Sequence, residues 1–362
     1  PEQAAAVVLH GVGHELQAVL AVDDQGLELA ALLNERLGLP GNSPQAVRRL
    51  RDKLSFRELL NAIGLNCPRF WHLPDSAAPE SLLRRIEFPV VVKARRLSGS
   101  RGVIRADTPG ELLEAWARVR SIQAQADRDS KQLGLLIENF IPGTEYALEG
   151  LLDNGRLRTL ALFDKPDPMN GPYFEETLYV APSRLPAALQ EELKRRVEQV
   201  CRAGALVTGP IHAEARINDA GVWLLEIAAR SIGGLCSRVL RHALGMSLEE
   251  LIFRHALRLP IPDVAAVSPC GVMMIPIPRR GILRKVDNRE AAAALPGIEE
   301  IAITASPGQL IAPPPEGSSY LGFIFARAAT PEAVERALRA AAQLLKFDLQ
   351  GEVPVVESSV DL

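Results

Sequence analysis

The chain has 362 residues, 47% hydrophobic and 23% charged, with a net charge of -3. That length predicts two or three domains rather than one core, and the slight acidity excludes a general nucleic-acid binder while leaving room for an anionic nucleotide in a local basic pocket. No apolar run is long enough to span a membrane, no basic-then-apolar leader opens the sequence, and Cys67, Cys201, Cys236 and Cys270 are spaced for neither a zinc site nor a small disulfide scaffold, so reduced cysteines in a cytoplasmic protein are expected.

Leu16 to Val22 reads as a buried strand. It runs into Asp23-Asp24-Gln25-Gly26 and an amphipathic helix with Leu29, Leu32, Leu33 and Leu37, which Gly38 ends. Ser43-Pro44 opens the next helix, Ser as cap and Pro in the first turn. Strand followed by helix predicts a parallel sheet. Because the sequence starts inside such a unit, an upstream portion is expected to be missing from it. Phe88 to Lys93 is an apolar strand, Ser98-Gly99-Ser100-Arg101-Gly102 a Gly/Ser loop, and Val103-Ile104 a returning strand. Thr108-Pro109-Gly110-Glu111 is a capping box before a long helix. Leu135 to Ile137, Tyr146 to Leu152 and Leu157 to Phe163 read as strands, the last two joined by an Asn154-Gly155 turn. Leu189 to Cys201 is helical. Ile211 to Ile217 and Val222 to Ile227 form a hairpin, and Ser247 to Glu250 caps another helix. After Leu259-Pro260-Ile261-Pro262 short strands (Val272 to Ile277, Leu321 to Ala326) alternate with Pro/Gly loops, Ala312 to Ser319 is irregular, and a last helix starts at Thr330-Pro331. Three parts result: residues 1–68; residues 69–260, in two lobes of about 69–140 and 141–260; and residues 261–362.

The Gly209 to Gly234 hairpin is the most informative segment. Residues of one parity share a face of a strand. Ile211, Ala213, Ala215, Ile217, Trp223, Leu225, Ile227 and Ala229 form an apolar face that must be core; His212, Glu214, Arg216, Glu226 and Arg230 share the other. A turn centred near Ala220 places Glu214 opposite Glu226. Facing carboxylates repel, so Mg²⁺, which takes hard oxygen ligands, suits the gap. Neutralisation by Arg216 and Arg230 on a solvated face accounts for the pattern equally well, and a bulge would break the register.

Lys93 with Ser98, Gly99, Ser100 and Gly102 offers an anion cradle. It is neither a P-loop nor a dinucleotide fingerprint, and alone it reads as a flexible hairpin tip. Glu138-Asn139-Phe140-Ile141 is a strand end and linker whose backbone suits a purine edge, with Glu145 placed for ribose hydroxyls; alone it is an acidic loop. His10, His14, His72, His242 and His255 have no metal-ligand spacing. Arg84, Arg85, Lys93, Arg95, Arg96 and Arg101 lack interleaved aromatics, which favours a phosphate pocket over RNA. Asp164 to Glu176 suits a substrate border or a surface loop, and Asp23 and Asp24, at a strand's carboxyl end where α/β sheets bind ligands, suit helix capping better.

In this order the segments resemble the ATP-grasp superfamily, and within it the L-amino-acid ligase and carnosine-synthase-like group. Arg51-Asp52-Lys53 is similar to the family's first nucleotide lysine and Phe88-Pro89-Val90-Val91-Val92-Lys93 to its second. Ile137-Glu138-Asn139-Phe140-Ile141 is similar to the adenine hinge, and Glu145 falls at the ribose glutamate. Gly209-Pro210-Ile211-His212-Ala213-Glu214 and Leu225-Glu226-Ile227-Ala228-Ala229-Arg230 resemble the metal-site strands. Gly271 to Arg284 and Pro296-Gly297-Ile298 resemble the small C-terminal domain of amino-acid ligases. The resemblance implies a multidomain α/β and α+β protein: a partial Rossmann-like N-terminal domain, a two-lobe ATP-grasp domain and a small α+β C-terminal domain. It implies an ATP-dependent ligase that joins a carboxylate to an amine through an acyl phosphate. ATP would lie on Lys53, Lys93, the Ser98–Gly102 loop, Glu138 to Ile141 and Glu145, with Mg²⁺ (or Mn²⁺) on Glu214 and Glu226. Arg230, Lys93 and His212 would be the catalytic groups. Partners would be small-molecule carboxylate and amine substrates, not nucleic acid or membrane, and a homodimer is the implied assembly. Where many members carry Asn two residues after the second glutamate, this sequence has Ala228. A bicarbonate-using carboxylase and a nucleotide-binding protein without turnover stay open as alternatives.

Overall fold

The computed structural model describes residues 1–12, 16–126, 133–262 and 268–351. The N-terminal part is helical: α1 (Glu2–Val12), α2 (Leu27–Leu37), α3 (Pro44–Arg51) and α4 (Lys53–Ala62). The strand expected over Leu16 to Val22 is absent, and Val22 is 89% exposed. Its backbone is instead tied down by one side chain: Asn34 of α2 accepts from Val19 N (3.1 Å) and donates to Val19 O (2.8 Å). An apolar run becomes a strand only beside another strand, and here the amide of Asn34 stands in for one. The expected parallel sheet is therefore not found; every strand pair among the described residues is antiparallel. The capping signals hold: Gly38 has φ 66° after α2, Ser43 accepts from Ala46 N, and Asp52 accepts from Leu54 N and Ser55 N at the start of α4.

A four-stranded sheet follows, of β1 (Phe70–Leu73), β2 (Val90–Ala94), β3 (Val103–Ala106) and β4 (Leu135–Asn139) in the order β1-β4-β2-β3. Helix α5 (Pro109–Ala126) covers one face through Leu112, Ala115 and Val119 against Val90, Val92, Ile104 and Ala106. The second sheet has eight strands. It combines β5 (Thr144–Asp153), β6 (Arg156–Lys165), β7 (Leu178–Ala181), β8 (Gly209–Asn218) and β9 (Gly221–Ala228) with the later β10 (Cys270–Ile275), β12 (Ile298–Ile303) and β14 (Gly322–Arg327). One face packs on α3, α4 and α6 (Ala187–Ala203), burying Leu148, Leu162, Ala213 and Ile227. The other carries Phe163, Tyr179, Met274 and Phe323, against α7 (Leu240–Leu244) and α8 (Leu248–Ala256). A three-stranded sheet of β11 (Gly281–Asp287), β13 (Leu310–Ile311) and β15 (Lys346–Gln350), with α9 (Arg289–Ala293) and α10 (Pro331–Leu344), completes the C-terminal part. That part shares the large sheet: β10 pairs with β7 from Cys270↔Ala181 to Met273↔Leu178. No helix among the described residues is long and apolar enough to cross a membrane.

Candidate active site

Between the two larger sheets lies a cleft of about 790 Å³. Its floor is the β8–β9 hairpin. The pairs Asn218↔Gly221 to Ala215↔Leu224 close a two-residue turn, a register that alone sets Glu214 against Leu225. Leu225 is instead the extra residue of a bulge, and Glu214 pairs with Glu226. The bulge also reverses parity. Val222 and Leu224, 1% and 2% exposed, are the core residues, and Leu225 lines the cleft, correcting the expectation that Trp223 and Leu225 are core. Arg57 holds the bulge. It is fully buried and its Nη1 donates to Leu225 O at 3.0 Å. One helical turn before it on α4, Lys53 reaches the cleft with Nζ 4.0 Å from Glu226 and 2.5 Å from Leu97 O.

Two charge clusters flank this floor. In the first, Glu138 takes Arg57 in a two-pronged bond (2.7 and 3.1 Å) and Lys93 at 2.6 Å. Burial raises the Glu138 pKa, but the two cations win and hold it near 2; burial lowers that of Lys93. In the second, Lys165 Nζ sits among Glu145 (2.5 Å), Glu176 (2.7 Å) and Glu214 (3.0 Å), and Tyr179 donates to Glu176 (3.0 Å) and Glu214 (3.2 Å). Against the effect of burial, these carboxylates hold the Lys165 ammonium well above the ordinary lysine range. Burial and the Glu214 charge push Glu176 up to about 7, while Lys165 and His212 keep Glu214 low in spite of burial. His212 lies between Glu149, which its Nδ1 meets, and Glu214, 3.6 Å from Nε2. Burial disfavours its charge, yet the carboxylates raise its pKa to about 10. The two carboxylates therefore favour the charged form of His212.

Arg216 does not neutralise Glu214 or Glu226. It binds Glu145 (3.0 Å), the carbonyls of Ile141 (2.7 Å) and Met169, and packs on Phe140 and Phe174. Arg230 is paired with Asp24 at 2.7 and 3.0 Å. The helix capping expected of Asp23 and Asp24 is not found: Gly26 stands before α2 with no side-chain cap, Asp23 accepts from Gly26 N at 2.7 Å in the preceding turn, and Asp24 lines the cleft. Burial raises the Asp24 pKa, but Arg230 brings it below the ordinary value.

Phe140, Val91, Val103, Met169 and Phe174 form one apolar cluster on the wall of the cleft. Ile141, Ser98, Gly99 and Ser100 also line the cleft. Two expected contacts do not. The Asn139 side chain turns away to Glu87 O (2.7 Å), and Gly102, outside the wall, donates its N–H to Pro315 O at 3.1 Å. The hinge carboxylate of Glu138 is spent on Arg57 and Lys93, and Glu145 has each oxygen in an ion pair. Arg95 and Arg96 serve Asp52, at 2.7 and 3.5 Å, instead of a phosphate pocket. None of His10, His72 and His255 lines the cleft, and His14 lies outside the described residues. Sequence reasoning missed Arg57, Glu149 and Tyr179, while the Asp164 to Glu176 segment, expected as a substrate border or a surface loop, does reach the cleft through Met169, Phe174 and Glu176. A usable signal existed for Glu149: a charge in the middle of an apolar strand must find a partner.

Residues 86–239 match the ATP-grasp domain family, and residues 273–350 the L-amino acid ligase C-terminal domain 2 family. Carnosine synthase 1 of Gallus gallus is 31% identical over 274 residues, 72% of this chain and 29% of that protein. A D-alanine–D-alanine ligase of Ectopseudomonas mendocina is 27% identical over 261 residues, 68% of this chain and 75% of the relative. The crystal structure of L-amino acid ligase from Bacillus licheniformis superposes with a TM-score of 0.83 at 26% identity, covering 96% of this chain and 85% of that one. The chain spans less than a third of the length of the carnosine synthases of Gallus gallus and Homo sapiens that it matches. Both domain matches fall on the sheets that build the cleft, so the chain carries an ATP-grasp domain followed by an L-amino acid ligase C-terminal domain.

Proposed function

We propose that the protein is an ATP-dependent carboxylate–amine ligase that forms an amide or peptide bond with an amino-acid substrate. The observation that carries this is the convergence of Glu214, Glu226, Lys53, Lys93 and Arg230 on one cleft that has an apolar cluster on its wall. The adenine ring packs on that cluster, and the triphosphate lies along Lys53, Lys93 and the Ser98–Ser100 loop. A substrate carboxylate oxygen attacks the γ-phosphorus, the bond to the β-phosphate oxygen breaks, and ADP leaves an acyl phosphate behind. The amine then attacks the carbonyl carbon, inorganic phosphate departs, and the surplus amine proton passes to water. Catalysis of this kind is positioning plus electrostatics. Lys53 and Lys93 offset phosphate charge, Arg230 the oxyanion, and His212 holds Glu214 in place.

Mg²⁺ is the metal that the fold family implies. The donor set fits it: Glu214 and Glu226 face each other across the strands, and Glu145, Glu176 and Glu214 have ligand oxygens within 4.8 Å of one another, all hard oxygens. Glu214 and Glu226, with Glu176 beside them, would hold the ion. When bound it would offset phosphate charge. Ala228 supplies no donor of its own, which leaves the carboxylates as the ligands.

The test is phosphate release from Mg-ATP over a panel of amino acids and dipeptides, alone and in pairs, with Glu226→Ala as control. Release that needs both a carboxylate and an amine, and that the control lacks, is the expected result. Release driven by bicarbonate without an amine would replace this function with a carboxylase, and ATP binding without release would leave a nucleotide-binding protein. Light scattering on the same preparation tests the homodimer.

A further inference from the structure

The cleft continues past the charged floor. Beyond Tyr179 it opens into a chamber walled by Ile232, Leu235, Cys236, Met274, Tyr320 and Phe323. Cys236, Met274 and Phe323 are 1%, 2% and 5% exposed and belong to one apolar cluster, against which Leu235 and Tyr320 pack. Tyr320 meets Phe323 edge-on at 5.8 Å, and Phe323 stacks on Phe325 at 6.4 Å, so the aromatic wall is braced from behind. Gly234, at φ 63°, lets the loop lie on that wall: a Cβ there would stand 3.1 Å from two ring carbons of Phe323. The remaining wall from the C-terminal part is neutral, with Thr304, Gln309, Ser318 and Ser319. Two ionic groups that line the cleft beside the chamber are already engaged. Glu176 is held by Lys165 and Tyr179, and Arg230 by Asp24. A charged group entering the chamber would give up water against a wall of apolar and neutral side chains, whereas an apolar group would be buried on that wall.

Resting on the ligase reading above, we infer that this chamber receives the side chain of an amino-acid substrate, and that this side chain is uncharged and mainly apolar, of the class of leucine, methionine and phenylalanine. The determinant lies in the C-terminal part, through Tyr320 and Phe323, and in the Ile232–Cys236 loop, away from the groups that handle phosphate. The acid and amine chemistry of the substrate stays at Arg230 and the carboxylates, and the chamber reads only what projects beyond.

The experiment uses the whole chain and measures ADP release with substrate pairs that differ in one side chain: leucine against aspartate, and methionine against glutamate and lysine. The expected kcat/KM ratio is at least ~100-fold in favour of the apolar member, since apolar pockets discriminate by about 10- to 200-fold per methylene and more against an unpaired charge. Phe323→Leu and the half-buried Leu235→Lys, each checked for an unchanged melting transition, separate chamber from fold. Leu235→Lys narrows the leucine-to-aspartate ratio by tenfold or more through KM, and Phe323→Leu raises KM for leucine and phenylalanine with kcat nearly kept. Pair-dependent release with charged substrates equal or better, or with a preference that neither variant moves, overturns the chamber assignment and leaves the ligase standing. Release by no pair at all takes down the ligase reading and this assignment together.

Discussion

The two charge clusters of the cleft use the same groups to opposite ends. Around Glu138 one carboxylate is met by two cations, Arg57 and Lys93. Around Lys165 one ammonium is met by three carboxylates, Glu145, Glu176 and Glu214. The first has cation to spare and all its short bonds made, so it closes; it joins α4, β2 and β4 and braces the bulge at Leu225. The second is brought to balance by cations outside it, Arg216 on Glu145 and His212 beside Glu214, with Glu176 raised to about 7, so loss of any one cation leaves buried acid in excess. The contrast sets how each cluster would answer a divalent cation: the carboxylate-rich one around Lys165 would gain from it, and the cation-rich one around Glu138, which leaves Lys93 at the cleft wall, would not.

The contrast breaks if metal treats both clusters alike. Arg57→Met leaves Glu138 with Lys93 alone and frees the bulge carbonyl; a loss of about 3–5 kcal/mol is expected, the usual effect of removing one partner of a buried pair. Lys165→Met should cost a similar amount without metal, and millimolar Mg²⁺ should restore much of it, whereas Arg57→Met should gain nothing. Thermal melting of both variants with and without Mg²⁺ decides; equal recovery, or none, sinks the distinction. Glu226→Ala, which removes one of the facing carboxylates and no buried ion pair shorter than 4.0 Å, should cut turnover by about 10²–10³-fold, in line with loss of one electrostatic catalytic contact, with little change in melting.

The pH dependence sharpens the same comparison. Glu138 is depressed to about 2, so its contribution to stability is full above the ordinary glutamate range and is lost as pH falls toward 2. Glu176 is raised to about 7, so its contribution is full below that range and is lost as pH rises through 7; His212, raised to about 10, loses its own between pH 6.5 and 10. Melting temperature should therefore decline from pH 5 to 8 in wild type, and Glu176→Gln should flatten that decline; an unchanged slope would refute it. The smallest effect is expected at the N-terminal segment. Asn34→Ala removes the two bonds that replace a strand at Val19, at about 1–2 kcal/mol, measured by urea unfolding.

Part of the site is legible from residue order and from parity along β8, although parity fails on β9 at the bulge. Glu214 and Glu226 were read as facing residues, and they do face. The hinge, the second lysine and the Gly loop were read from order along the chain, and Phe140, Ile141, Lys93 and Ser98 to Ser100 line the cleft. The partners that fix the charges were not legible. Arg57 and Glu138 are 81 residues apart, His212 and Glu149 63, and Arg230 and Asp24 206. No local pattern marks such pairs, because each is made by strands and helices meeting in space.

The N-terminal misreading has the same root: Leu16 to Val22 has strand composition, but a strand exists only through its neighbour, and the neighbour supplied is Asn34. By itself the sequence determined the helix caps, the antiparallel hairpins and the residue types of the floor, all of which follow from contacts a few residues apart. Tertiary structure alone decided the pairing of the two glutamates. The turn of the hairpin sets Glu214 against Leu225, and a bulge pinned by Arg57, 168 residues from Leu225, moves Glu226 into its place. A register is the sum of local geometry and one distant hydrogen bond, and only the folded chain brings that bond to bear.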